Sequence, residues 1–388
     1  MSNKLKQPQE HRPIIIVGAG VIGLTIAFYL TKLKNCPEIT IFAREMPRLA
    51  SSPGDEWVEG QWASPWAGAI FAADENPEDE VTHSIEQESY RYFWKIAHED
   101  PASGVELRMI RQYYDETSVP DPASMKIHLF TQKYRQLRNH ELPVPRRGIT
   151  GGIEYMSMCI NPWVYLPWLR SKLEGTGKVR FIQCHLESLQ SAATHSTFGS
   201  SKASPIIINA SGLGAGTLTD VRDSAVHSVR GQTMWVQCDY SGAMAIRSGR
   251  EYTYFIPRAF SQGAIFGGIS QPDNDSKEVD ESLKENILER IRDLVPDAYK
   301  AALTVGNQTV PKTIKRTSSF QGVGILKDIV GFRPARKGGQ RIELDEKSGE
   351  TPVIHAYGFE GHGYISSGGT AKLVLDLIEK LHPIKSHL

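Results

Sequence analysis

Apolar residues along this chain gather into short β-branched runs near its start, middle and end, separated by stretches of helical or alternating periodicity. Pro13-Ile14-Ile15-Ile16-Val17 is an unbroken apolar run of the kind that forms a strand buried on both faces. The stretch Gly18–Gly23 follows, and Leu24–Leu33 then carries so few polar residues that it predicts a helix buried on most sides. Glu38–Ala43 predicts a second strand, which makes the opening of the chain a strand–helix–strand unit. Residues 46–62, rich in Pro, Ser, Gly and acid, predict a loop. Between 81 and 98, Ile85, Tyr90, Phe93, Trp94 and Ile96 predict a helix, and 99–150 mixes short strands with Pro-rich turns. Pro162–Leu173 predicts a helix with Pro in its first turn and Trp163, Leu166, Leu169 and Leu173 at helical spacing.

Val179–Ile182 predicts a further strand, and Ile206–Ala210 a buried one, ended by Ser211-Gly212-Leu213-Gly214-Ala215. Thr233–Gln237 and Tyr252–Ile256 alternate as strands do, and Ser282–Leu294 reads as an amphipathic helix. Pro352–Tyr357 predicts a strand, followed by a glycine-rich turn and a closing helix over Thr370–Leu381. No internal repeat or low-complexity tract is present. The nucleotide-type pieces come from three separated parts of the chain, and the β-rich material between them must form something else. Two interleaved domains are the simplest arrangement.

A length of 388 residues suffices for two domains, and 40% hydrophobic with 23% charged residues is ordinary for a soluble globular protein. The net charge is zero with no basic stripe, which argues against a nucleic-acid partner. No run of about 18 apolar residues occurs, so no membrane span is expected. The N-terminal stretch Met1–Arg12 is polar and lacks the apolar segment of a signal peptide. Cys36, Cys159, Cys184 and Cys238 form no CxxC pair, which argues against a zinc site or dithiol motif and suits a reducing compartment. No metal is expected.

Gly18-Ala19-Gly20-Val21-Ile22-Gly23 has the GxGxxG spacing in its informative context, after a β-branched strand and at the opening of a helix. Gly18 permits the tight turn, Gly20 lets backbone approach a pyrophosphate, and Gly23 lets helix and strand pack closely. The helix N-terminus offers unpaired N–H groups and a positive dipole end to phosphates. Arg44 and Glu45 follow the second strand. Glu45, 22 residues after Gly23, is favoured over a solvated loop charge as the ribose ligand. The motif does not separate FAD from NAD. The turn at Ser211-Gly212, after Asn209-Ala210, suits a close passage of backbone and cofactor, or an ordinary strand-to-helix turn.

Several segments, in family order from residue 14 to 375, resemble the D-amino-acid oxidase family, above all its fungal members. They are Trp62-Ala63-Ser64-Pro65-Trp66-Ala67-Gly68-Ala69, Asn209–Gly214, Arg230-Gly231-Gln232, Tyr254-Phe255-Ile256-Pro257-Arg258, Gly267-Gly268, Val330–Arg336, and His355–Phe359 with Gly363-Tyr364. The resemblance implies an α/β protein with a Rossmann-like FAD-binding domain (1–60, 151–230 and 331–388) interleaved with an antiparallel-β-rich α+β substrate-binding domain (61–150 and 231–330). It implies non-covalent FAD held by Gly18–Gly23, Arg44, Glu45, Ser64, Trp66, Ala67, Gly68, Ser211, Gly212, Arg333, Gly361, Gly363, Tyr364 and Ile365. It further implies hydride transfer from Cα of a D-amino acid to flavin N5, release of a 2-oxo acid and ammonia, and reoxidation by O₂ to give H₂O₂.

With a neutral amine assisting hydride loss, no base on Cα is needed, and the flavin carries the electron chemistry. The α-carboxylate needs an anchor, and a guanidinium fork fits it. The resemblance points to Arg333, with the Tyr254 phenol beside it and Tyr252 on the same strand face, either in the cavity or packed on the sheet. Arg336 is expected to be a structural or surface charge, and His362 a loop group rather than a catalyst.

Departures bear on specificity. Ile70-Phe71-Ala72 and Ile365-Ser366-Ser367-Gly368 stand where relatives carry other residues, and Ser270 stands where animal D-aspartate oxidases carry Arg. Arg247 and Arg250 offer a side-chain carboxylate partner, hence the alternative of a D-aspartate oxidase. Neutral or broad specificity is favoured, and a glycine- or sarcosine-type amine oxidase or an NAD-dependent dehydrogenase ranks lower. The terminal Ser386-His387-Leu388 is a variant of the Ser-Lys-Leu address. For a peroxide-releasing oxidase it implies a peroxisomal import receptor as partner and the peroxisomal matrix as location. Whether the chain works alone or as a homodimer is open.

Overall fold

The computed structural model describes residues 12–49, 62–72, 80–117, 126–145, 147–195, 204–259, 263–304, 318–320, 322–346 and 351–381. Met1–His11 and Ser386-His387-Leu388 lie outside the described residues, as does most of the expected loop at 46–62.

The β-branched runs assemble one sheet. Ile14–Val17 lies at its centre, paired in parallel with Ile39–Ala43 on one side and Ile206–Asn209 on the other. Val179–Gln183 extends it past Ile39–Ala43, and Val353–Tyr357 extends it past Ile206–Asn209, both parallel. Arg341–Asp345 closes that edge antiparallel. Ile14–Val17, Ile39–Ala43 and Ile206–Asn209 are buried at every residue, as parallel strands covered on both faces must be. The helix after the glycine turn spans Val21–Leu30, starting and ending about a turn earlier than its apolar content alone suggests.

The second sheet has ten strands and is mostly antiparallel. Its middle runs Val323–Arg336, Val226–Gln237, Gly263–Gly267, Thr253–Pro257, Met244–Arg247, Val105–Asp115 and Ile149–Ile160. Side chains alternate between its faces. Met234, Val236, Phe255 and Phe266 pack under helices Glu281–Leu294 and Pro296–Thr304. Trp235, Tyr254, Ile256 and Ile265 face the other way, toward the core shared with the smaller sheet. Asp280 caps the first of these helices, accepting from the N–H groups of Ser282 at 2.9 Å and Leu283 at 3.2 Å.

The fold is thus α/β with a parallel nucleotide-type layer and an antiparallel-rich second layer, as expected. Sheet membership sets the crossings differently from the expected segment limits. Ile149–Ile160 belongs entirely to the larger sheet, and the chain returns to the smaller one only through helix Pro162–Glu174. Asn161 caps that helix, its side chain accepting from the Trp163 N–H at 3.2 Å. Val226–Gln237 and Val323–Arg336 likewise run across the expected limits at 231 and 331. The closing helix begins at Gly363 instead of Thr370. The expected glycine turn is helical, packed on Val21–Leu30 and Glu80–Glu99.

Candidate active site

One cavity of about 770 Å³ runs from the carboxyl ends of the parallel strands to the face of the larger sheet. Its volume lies in the range of small-molecule and cofactor sites. Gly18, Ala19, Gly20, Val21, Ile22, Arg44, Glu45, Ser64, Trp66, Ala67 and Gly68 line it. So do Ser211, Gly212, Tyr252, Tyr254, Arg333, Gly361, Gly363, Tyr364 and Ile365. Of the residues expected there only Gly23 does not. It packs beneath the turn, where a Cβ would lie 2.1 Å from the Gly18 carbonyl oxygen.

The turn itself is built for a dinucleotide. Gly18 sits at φ +116, and a Cβ on it would meet the Ala210 carbonyl oxygen at 2.2 Å. Only glycine brings the two strand ends this close. Gly20, the N-cap of helix Val21–Leu30, has no side chain to cover the helix end, and Ser64 Oγ accepts the Val21 N–H at 3.0 Å. Helix dipole, glycine turn and hydroxyl therefore meet where a pyrophosphate would lie. Arg44 and Glu45 lie at the end of the second parallel strand, 3.9 Å apart, with the Glu45 side chain 22% exposed. A second hydroxyl is fixed by an Asx turn, in which Asn209 Oδ1 accepts from Ser211 Oγ at 2.7 Å and from the Ser211 N–H at 3.2 Å. The residues present thus fit an extended dinucleotide.

At the other end Arg333 projects from strand Val323–Arg336, and its Nη1 donates to the Ile269 carbonyl at 3.0 Å. No carboxylate pairs with it among the described residues. Its guanidinium lies flat on Gly231 of the adjacent strand. A Cβ there would lie 2.9 Å from Nη2 and 3.0 Å from Cζ and Nη1. Tyr254 stands in the same relation to Gly267, where a Cβ would come within 2.5 Å of its ring. The Tyr252 and Tyr254 rings are 5.5 Å apart at 62°. Burial pushes both phenols up, while the Arg333 charge, and for Tyr254 its hydrogen bond, pulls the other way. Both hydroxyls stay protonated near neutral pH and can donate to an anion.

Ile70 and Ala72 also line the cavity, and Phe71 points away into the core. Ile246, Ile256, Ile329 and Thr233, none of them singled out from sequence, complete the wall. For Ile256 a signal existed, since it shares the strand face of Tyr252 and Tyr254. Glu360, His362 and Ser270 also line the cavity.

Arg247 and Arg250 do not line it. Arg247 is buried in a separate ion-pair cluster, 2.6 Å from Glu251 and 3.5 Å from Asp115. Arg250 is exposed and 3.2 Å from Glu116. Contrary to expectation, neither arginine meets a substrate carboxylate, because strand Met244–Arg247 directs Arg247 away from the cavity and the turn that follows it holds Arg250 against Asp115 and Glu116. Ser366, Ser367 and Gly368 are buried along the closing helix and form no part of the cavity wall. Arg336 is structural, as expected, with Nε 2.8 Å from Asp223.

A D-amino-acid oxidase of Fusarium vanettenii is 32% identical to this chain, over 95% of it and 97% of the relative. A D-aspartate oxidase of Talaromyces thermophilus is 29% identical over 94% of each. Among solved structures, a glycine oxidase from Geobacillus kaustophilus superposes with a TM-score of 0.68, at 17% identity, covering 96% of this chain and 95% of that one. The family profile described as FAD dependent oxidoreductase matches residues 13–377. The glycine cradle and the sequence relationship agree: this chain belongs to the FAD dependent oxidoreductase family, and its cofactor is FAD.

Proposed function

We propose that this protein oxidises D-amino acids to 2-oxo acids, releasing ammonia and H₂O₂. The observation that carries the reading is Arg333, a guanidinium held flat in the cavity without a carboxylate partner among the described residues, with the Tyr254 phenol bonded to it. A planar fork with a neutral phenol beside it is a receptor for one carboxylate. The D-amino-acid oxidase and D-aspartate oxidase names of the full-length relatives support an amino acid as the owner of that carboxylate.

The bound flavin supplies hydride acceptance and reactivity with O₂. The chain's residues do the rest. Arg333 and Tyr254 hold the carboxylate, and Tyr252 closes the same wall. Ile246, Ile256 and Ile329 keep water from the reacting carbon. With the carboxylate fixed, one enantiomer places its side chain along that apolar wall.

Apart from Arg44 at the far end, Arg333 is the only Arg or Lys lining the cavity among the described residues, and Glu360 adds a negative charge. The arrangement favours neutral side chains over acidic ones. Purified protein should be yellow and should release peroxide with D-Ala and D-Met, more weakly with D-Asp, and not with the L-forms. Turnover of sarcosine alone would contradict the reading.

We further propose peroxisomal import through Ser386-His387-Leu388, which suits an enzyme that makes peroxide. A fluorescent protein fused at the N-terminus should colocalise with a peroxisomal marker, and removing the tripeptide should disperse it. An unchanged distribution would refute the proposal.

A further inference from the structure

Strands Thr253–Pro257 and Gly263–Gly267 pair from Pro257–Ala264 to Tyr254–Gly267 and no farther. Past that rung Gly268 turns away at φ +136, and a Cβ there would lie 2.1 Å from the Tyr252 carbonyl oxygen. The break takes the carbonyls of Tyr252 and Gly268 out of the ladder, and a buried carbonyl needs a donor from elsewhere. One side chain answers both. Arg290, on helix Glu281–Leu294 and 6% exposed, donates from Nη1 to Tyr252 O at 2.7 Å and to Gly268 O at 3.3 Å. The helix packs on the face of the sheet away from the cavity.

Those two carbonyls belong to the two segments that build the carboxylate receptor. Tyr252 shares its strand face with Tyr254. Gly268 immediately precedes Ile269, whose carbonyl accepts from Arg333 at 3.0 Å. We propose that Arg290 is a positioning residue, fixing the separation between the Tyr252–Tyr254 wall and Arg333 and so setting the cavity's affinity for a substrate carboxylate. The inference rests on the carboxylate-binding role of Arg333.

A merely structural role would be docking of the helix, and the same helix provides the control. Lys284 is 3% exposed and binds Asp328 at 3.1 Å, tying the helix to strand Val323–Arg336 through a contact other than the Tyr252 and Gly268 carbonyls. The test compares holoenzymes of wild type, Arg290→Met, Arg290→Lys and Lys284→Met. The readouts are the Kd of benzoate from its perturbation of the flavin spectrum, KM and kcat for D-Ala, bound FAD, and Tm.

Misplacement on the ångström scale costs up to about a hundredfold, so Arg290→Met should raise the benzoate Kd and the KM roughly tenfold or more, with a smaller change in kcat and FAD retained. Arg290→Lys, which keeps the charge and can reach one carbonyl, should recover part of the loss. Lys284→Met should lower Tm and leave Kd and KM at their wild-type values. An Arg290→Met Kd equal to wild type, or a Lys284→Met loss that matches it, overturns the proposal. Should Arg290→Met fail to fold, Arg290→Lys decides, since a wild-type Kd in that variant has the same consequence. Wild type that binds benzoate yet turns over no D-amino acid defeats the functional reading alone, and the Kd series still decides the role of Arg290. Wild type that binds no benzoate overturns both.

Discussion

Replacing Arg333 by Ala removes the fork and leaves the rest of the cavity in place. Hydrogen bonds to charged groups contribute roughly 1.5–3 kcal/mol each, so a bidentate hold on a carboxylate contributes on the order of 3–6 kcal/mol. At about 1.4 kcal/mol per tenfold, kcat/KM for D-Ala should fall roughly 10²–10⁴-fold. The cost to the fold should be small. Arg333 has no carboxylate partner among the described residues, so no buried anion is stranded, and the Ile269 carbonyl and the Tyr254 hydroxyl each lose a partner, at about 1 kcal/mol apiece. The assay is peroxide formation over a D-Ala series at fixed pH, with flavin content and Tm measured on the same preparations. Arg333→Lys, which keeps the charge without the fork, should lie between wild type and Ala. A variant that binds FAD normally and keeps kcat/KM within a few-fold of wild type would remove Arg333 from the receptor.

Gly231→Ala adds a methyl 2.9–3.0 Å from the Arg333 guanidinium, so kcat/KM should drop roughly tenfold or more with FAD retained, and unchanged kinetics would show that the guanidinium lies elsewhere. Gly18→Ala should give colourless protein, because its Cβ would sit 2.2 Å from the Ala210 carbonyl oxygen; normal flavin content would contradict the cradle. Glu360→Gln should raise kcat/KM for D-Asp relative to D-Ala by a few-fold, as removal of a roughly 1 kcal/mol repulsion would, and an unchanged ratio would place Glu360 outside the substrate's field. Burial pushes the carboxyls of Asp115 and Asp223 up, but hydrogen bonds outweigh it and hold both at about 2. For Asp115 the bonds come from Thr117 and the Arg250 N–H, with the Arg247 charge beside it, and for Asp223 from Arg336 and Tyr357. Their folded-state values lie below the unfolded one, so each contributes on the order of 2 kcal/mol at neutral pH, lost as pH falls from about 4 toward 2. Asp115→Asn should therefore flatten the acid limb of a Tm-against-pH curve, and an unaltered limb would contradict this.

What the sequence disclosed, and what it did not, follows the range of the interactions. The Gly18–Gly23 turn is a local object: strand, glycines and helix start are neighbours in the chain, and all but Gly23 line the cavity. The resemblance points to Tyr252, Tyr254 and Arg333, and all three line the cavity. The glycines beneath them belong to the resembling segments too, but their purpose depends on pairing between distant segments, with Gly231 opposite the strand that carries Arg333. Composition does not reveal such floors, although glycine within a strand always invites the question of what lies on it. Arg247 and Arg250 were misplaced for the same reason. Nearness to Tyr254 in sequence says nothing about the face, and strand Met244–Arg247 delivers Arg247 to Asp115 and Glu251. The start of the closing helix was missed because Gly368-Gly369 reads as a breaker, whereas tight packing on Glu80–Glu99 favours the small residues.

The most direct test of the account is to mix the purified yellow protein with D-Ala and, separately, with L-Ala in the absence of O₂ while recording the visible flavin band. The account predicts that the band bleaches with D-Ala only, returns on admission of air with formation of H₂O₂, and fails to bleach in Arg333→Ala at the same D-Ala concentration. Bleaching by L-Ala, or full-speed bleaching by D-Ala in Arg333→Ala, would contradict it.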